Sequence, residues 1–118
     1  MTGAAVDVST RPDGTVVIHP QGSLDDTDAV DLRHTVVHAI RHTRPLRLVL
    51  DLAHVQDIDS TNLGTLAAAC LIGDDHHVAV FLEHSSPAIA DRLTAAGVPA
   101  HRLRHVAVDA APPHAMRG

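Results

Sequence analysis

At 118 residues the chain has the length of one domain with a single two-layer core, and its 45% apolar content places it among globular rather than disordered sequences. A formal net charge of -5 and a single aromatic side chain, Phe81, exclude the basic face and the stacking platforms of nucleic-acid binders. No apolar run reaches the ~18 residues of a membrane helix, the N-terminus lacks a basic-then-apolar leader, and the lone cysteine, Cys70, cannot form an internal disulfide; a cytoplasmic protein is expected.

Val6, Val8 and the run from Thr15 to Ile18 read as two strands joined by Arg11-Pro12-Asp13-Gly14, where Pro presets φ and Gly supplies a positive one. Gly22-Ser23-Leu24-Asp25 leaves the second strand. From Asp28 to His42, Ala29, Leu32, Val36 and Ile40 recur at helical spacing, with Val30 and Val37 alongside. Asp25, Asp26, Asp28 and Asp31 suit the positive end of that helix, His38, Arg41 and His42 its negative end, and Thr27 is placed to cap it. Thr43-Arg44-Pro45 stops it.

Leu46 to Leu52 carries Leu46, Leu48, Val49, Leu50 and Leu52, apolar on both faces rather than alternating, the pattern of a central covered strand. Leu63, Leu66, Ala67, Cys70 and Leu71 predict a second helix, closed by Gly73, and Val78 to Leu82 repeats the buried-strand pattern. Ser85-Ser86-Pro87 is a cap followed by proline near the first helical position; Ile89, Leu93 and Ala96 face inward before Gly97 ends the third helix. Leu103 to Val108 reads as a last strand. The order β-β-α-β-α-β-α-β predicts a single α/β domain over 1–109, a mixed β-sheet with helices packed on it, followed by a flexible tail over 110–118.

The chemistry concentrates in Asp57-Ile58-Asp59-Ser60-Thr61-Asn62-Leu63-Gly64, between the apolar strand and the second helix. Capping alone accounts for Asp, Ser, Thr and Asn at such a junction. The same position also offers two hydroxyls on a rigid scaffold, beside a helix N-terminus whose free N–H groups can receive a phosphate. A phosphate there would add about -1.5 to -2 charges next to Asp57 and Asp59. A nucleophilic role for Ser60 or Thr61 lacks support, because the chain has no Gly-x-Ser-x-Gly elbow and no glycine-rich phosphate cradle.

Histidine is abundant, with eleven in the chain. His34, His38 and His42 share one helical face and could chelate a transition metal, but they lie opposite the apolar stripe and read as a solvated face. His76-His77 belongs to a turn, and His54 to the loop before the junction. Neither a resident metal nor a cofactor is expected. With no Trp or Tyr to anchor an interface, any partner surface is aliphatic, polar or charged.

From about Val6 to Val108 the chain resembles the STAS domain family of anti-sigma factor antagonists. Gly22-Ser23-Leu24-Asp25 is similar to the family's Gly-x-Leu-Asp after the second strand. Leu48 to Gly64 resembles its signature strand, loop and helix start, and Ser86 to Val98 its third helix and exit. The resemblance implies a non-catalytic regulator of transcription in stress responses, a monomer or weak dimer. Unphosphorylated, it would bind an anti-sigma factor with a histidine-kinase-like ATPase fold. Phosphorylation would abolish binding and a PP2C-type phosphatase restore it. Carried onto this sequence, the acceptor is Thr61 first and Ser60 second, and the partner-binding residues are Asp25, Asp59, Ser60, Thr61, Asn62, Leu63 and Gly64. One departure stands out: Asn62 occupies a position where the family usually has Gly, placing a side chain beside the acceptor. A non-switching scaffold subunit, including a transporter accessory protein, is the alternative; a His-dependent metal-binding or hydrolytic protein is the third.

Overall fold

The N-terminal hairpin shows how closely local chemistry sets the frame. In the computed structural model, which describes residues 6–106, strands β1 (Val6–Thr10) and β2 (Val16–Pro20) pair antiparallel across a tight turn. The Gly14 N–H donates to the Arg11 carbonyl (2.9 Å), Gly14 takes φ +90°, and the Asp13 carboxylate accepts from the Thr15 N–H (2.9 Å).

From β2 the chain crosses to β4 (Arg47–Asp51), β6 (Ala79–Glu83) and β7 (Leu103–Arg104), all parallel, giving one mixed sheet in the order β1-β2-β4-β6-β7. Three α-helices fill the crossovers among the described residues: α1 (Ala29–His38), α2 (Ser60–Asp75) and α3 (Pro87–Ala95). Val16 and Ile18, Leu48 and Leu50, Val80 and Leu82 point to one side of the sheet and share a core cluster with Leu32, Leu66 and Leu93 of the helices. The single mixed-sheet α/β domain expected from the sequence is the observed architecture.

Several local expectations change. Two further strands, β3 (Gly22–Leu24) and β5 (Val55–Ile58), pair parallel in a small second sheet. Asp28, not Thr27, occupies the cap position of α1; the Thr27 N–H and hydroxyl both donate to the Asp25 carboxylate. The α-helical turn of α1 widens after His38 into a π-helical one over Ala39–Thr43, closed by Arg44 in the left-handed region at φ 49°. Leu46 is 88% exposed and stands outside β4.

Gly73 does not close α2. The helix runs on to Asp75, and His77 at φ 60° makes the turn into β6. Gly73 serves a different need, because a Cβ there would meet Val80 Cγ2 at 2.5 Å and the Val78 carbonyl at 2.6 Å. Leu71 and Ala96, expected inside, are exposed. The start of α3 follows expectation: the Ser86 hydroxyl accepts from the Ile89 N–H (3.2 Å) and Pro87 opens the helix. Of the last expected strand, only Leu103–Arg104 pairs with β6, and positions 107–108 lie outside the described residues, as does the stretch 110–118.

Candidate docking and modification site

The two short strands build the site. The Gly22 N–H donates to the His54 carbonyl (2.9 Å), Gly22 adopts φ +92°, and the pairing slips register before Ser23 meets Asp57 and Leu24 meets Ile58. Ile58 and Leu24 are buried, and the Asp59 N–H donates to the Leu24 carbonyl (2.9 Å). The β3–α1 loop and the start of α2 are thereby held side by side.

Asp59 is the N-cap of α2, its Oδ1 accepting from the Asn62 N–H (2.9 Å) while its carbonyl accepts from the Leu63 N–H (3.0 Å). Ser60 and Thr61 are the first two helical residues, and both are exposed. Asn62 does not stand beside them. Its side chain turns inward, 0% exposed, and its Nδ2 donates both to the Asp25 carbonyl (2.8 Å) and to Asp59 Oδ1 (2.9 Å). One amide therefore ties Asp25 to Asp59 across the junction. Both acceptors require the NH2 group, which fixes the amide's orientation and leaves its Oδ1 buried without a partner among the described residues.

Of the expected site residues, Asp25, Ser60, Thr61 and Gly64 present surface, and Asp59 is half-buried. Asn62 and Leu63 are buried, so their contribution is to position the backbone rather than to touch a partner. Hydrogen bonds from the Thr27 hydroxyl, and then from its N–H, hold the Asp25 carboxyl below the usual carboxylate range, so it is ionised at neutral pH. Asp26 and Asp57, both exposed, and the half-buried Asp59 lie on the same two joined segments, so the rim of the junction is acidic.

The structure adds two cations that sequence reading did not single out. Arg92 of α3 reaches across to Asp57 (3.2 Å). Arg33 of α1 lines a groove of about 300 Å³ between α1 and α2 together with Thr61, Gly64 and Thr65. Neither has a local signature, because each is brought in by tertiary packing from a distant part of the chain. Thr61 thus faces the α1–α2 groove, which Ser60 does not line.

Other constellations separate from this site. Among the described residues, no histidine hydrogen-bonds to Ser60 or Thr61. His54 is exposed in the turn before β5. His34 and His38 of α1 and His42 of the π-helical turn after it stack in a row, with ring centroids 6.5 and 4.9 Å apart. No group of three or more His, Cys, Asp or Glu is gathered to hold a metal ion among the described residues. No helix among them is long and apolar enough to cross a membrane.

The STAS domain family profile matches residues 8–106. No curated protein sequence matches the chain. Among solved structures, an anti-sigma factor antagonist from Mycobacterium paratuberculosis superposes with a TM-score of 0.75 at 21% identity, covering 98% of this chain and 96% of that one. The Bacillus cell fate determinant SpoIIAA in its phosphorylated form gives 0.72 at 18% identity, over 90% and 94%. A sulfate transporter family protein from Wolinella succinogenes gives 0.67 at 15% identity, over 83% and 81%.

Proposed function

The chain belongs to the STAS domain family, and from that membership we propose that it is an anti-sigma factor antagonist without catalysis of its own. In this reading it binds, unphosphorylated, an anti-sigma factor with a histidine-kinase-like ATPase fold. Phosphorylation at Thr61, or at Ser60, releases the partner, and a PP2C-type phosphatase reverses the mark. The observation that carries the reading is the exposure of Ser60 and Thr61 on the first turn of α2, with the backbone beneath them clamped by Asp59 and Asn62.

The physics of a switch follows from that placement. A phosphate would bring about -1.5 to -2 charges to the open end of a helix, where backbone N–H groups and the macrodipole favour an anion. The same charge would stand within the rim of Asp25, Asp57 and Asp59. In this reading the fold accommodates it because Ser60 and Thr61 are both exposed. A partner docked over that rim would not.

The test is phosphate uptake by intact mass, with candidate anti-sigma kinases and ATP. Wild type is expected to gain one phosphate, Thr61→Ala to lose most of it, and the Ser60→Ala/Thr61→Ala double variant all of it. Equal uptake by the double variant would remove the site assignment. A non-switching scaffold is the second reading, favoured by the inward Asn62 lock, which holds the junction in one conformation. It requires a complex that survives Thr61→Glu, whereas the switch requires its loss.

A further inference from the structure

The groove beside Thr61 continues along the protein. Its hollow of about 300 Å³ shares Arg33, Val37 and Ile72 with a second hollow of about 380 Å³ that runs on to Val30 and Arg41. Together they form one furrow between α1 and α2, open at the candidate site and extending toward the far end of α1. Its lining carries aliphatic surface left open by the described residues: Val30 is 71% exposed, and Val37 and Ile72 are half-buried beside it. An exposed aliphatic strip on two packed helices is the kind of groove that an amphipathic helix fills.

Charge identifies the occupant further. Arg11, Arg47, Arg92 and Arg102 each meet a carboxylate, Arg44 donates to the Arg41 carbonyl and Arg104 lies over the Phe81 ring, but the guanidinium groups of Arg33 and Arg41 meet no partner among the described residues. Both are exposed on the furrow, Arg33 on α1 and Arg41 in the π-helical turn that continues it, about two turns further on. Two unpaired cations at that interval on an otherwise acidic protein match carboxylates about two turns apart on a partner helix.

We propose that this furrow is a docking surface for an amphipathic helix of a partner protein, its aliphatic stripe lying on Val30, Val37 and Ile72 and its carboxylates meeting Arg33 and Arg41. The proposal deepens the antagonist reading and rests on it for the identity of the partner. It also supplies a local mechanism for the switch. A phosphate on Thr61 would stand at the mouth of the furrow, where it draws Arg33 to itself and repels an incoming carboxylate.

Two stapled helical peptides of about four turns provide the probe, with the same leucine stripe and either glutamates or lysines on its flanks. Both are titrated into the full, uniformly 15N-labelled chain and followed by amide shifts. Since the net charge of -5 favours the lysine peptide through the global field, a preference for glutamate can arise only from local cations. The glutamate peptide is expected to bind at least about tenfold tighter and to shift Val30, Arg33, Val37, Thr61 and Ile72. That preference should vanish in Arg33→Gln/Arg41→Gln and reverse in Arg33→Glu/Arg41→Glu; both pairs change exposed side chains and leave the core intact.

Equal binding of the two peptides, or shifts centred elsewhere, would overturn the proposal. So would shifts of the furrow residues with protein concentration alone, which would mark a second copy as the occupant. Phosphate uptake at Thr61 and Ser60 is read separately by mass. Loss of the furrow with uptake intact leaves the switch standing, and the converse leaves the docking surface.

Discussion

Asn62 decides the local character of the site. Its side chain is fully buried, and its NH2 group holds the Asp25 carbonyl and the Asp59 carboxylate at 2.8 and 2.9 Å. Asn62→Ala removes both bonds and leaves two acceptors facing an apolar methyl, so a loss of about 1–3 kcal/mol is expected, read as a lower urea midpoint at unchanged slope. Asn62→Asp tests the direction of the bonds. At neutral pH its carboxylate would confront two acceptors, which costs more than alanine does. Toward the carboxyl range a protonated Asp can donate, and the gap to alanine should close. A constant gap across pH would mean that the NH2 donors do not hold the junction. Asn62 was visible in the sequence as a departure from its family, but its inward direction was not, because both partners of its amide come from tertiary placement.

At the scale of the element, the helices and the long strands were legible because each carries its own period, its own cap or its own turn. The pair β3 and β5 was not. Val55-Gln56-Asp57-Ile58 buries its first and last residues, and the register slip between Gly22 and Ser23 breaks the alternation that marks a strand. This is also the pair that positions the site. Helix α2 shows the same limit from another side, since its two glycines look alike in sequence and differ in space. A Cβ on Gly64 meets nothing within 4 Å, so Gly64→Ala should stabilise the protein by about 0.5–1 kcal/mol through helix propensity. Gly73→Ala should do the opposite, because its Cβ would lie 2.5 Å from Val80 Cγ2 and 2.6 Å from a backbone carbonyl that cannot move aside cheaply. A loss of about 1–3 kcal/mol is expected, and thermal melts of the two variants should move in opposite directions.

Across the whole molecule the two sides of the main sheet do different work. One buries the main aliphatic cluster against the helices; the other buries Val17 and Val49 and adds polar links between the strands. On that second side Asp51 of β4 meets His19 of β2 at 3.4 Å and His84, just past β6, at 3.2 Å. Two arginines, Arg102 and Arg104, sit over the Phe81 ring at 5.6 and 4.6 Å. Burial pushes the Asp51 carboxyl up, but hydrogen bonds from the Ala53 N–H and from His84, with the charges of His84 and His19, outweigh it and leave the group below its ordinary value. A depressed folded-state value means stability that is fully present above the unfolded carboxyl pKa of about 3.9 and is lost as pH falls through the lower folded value. Asp51→Asn should therefore be less stable than wild type at neutral pH, by about 1–3 kcal/mol for charged hydrogen bonds in a partly buried place. The deficit should shrink as pH falls below about 4, because there the unfolded carboxyl takes up a proton before the folded one does, and it should vanish once both are protonated. Urea midpoints of the two proteins between neutral pH and about pH 3 measure it; parallel curves across that range would show that the link across β2, β4 and β6 contributes nothing as a charge.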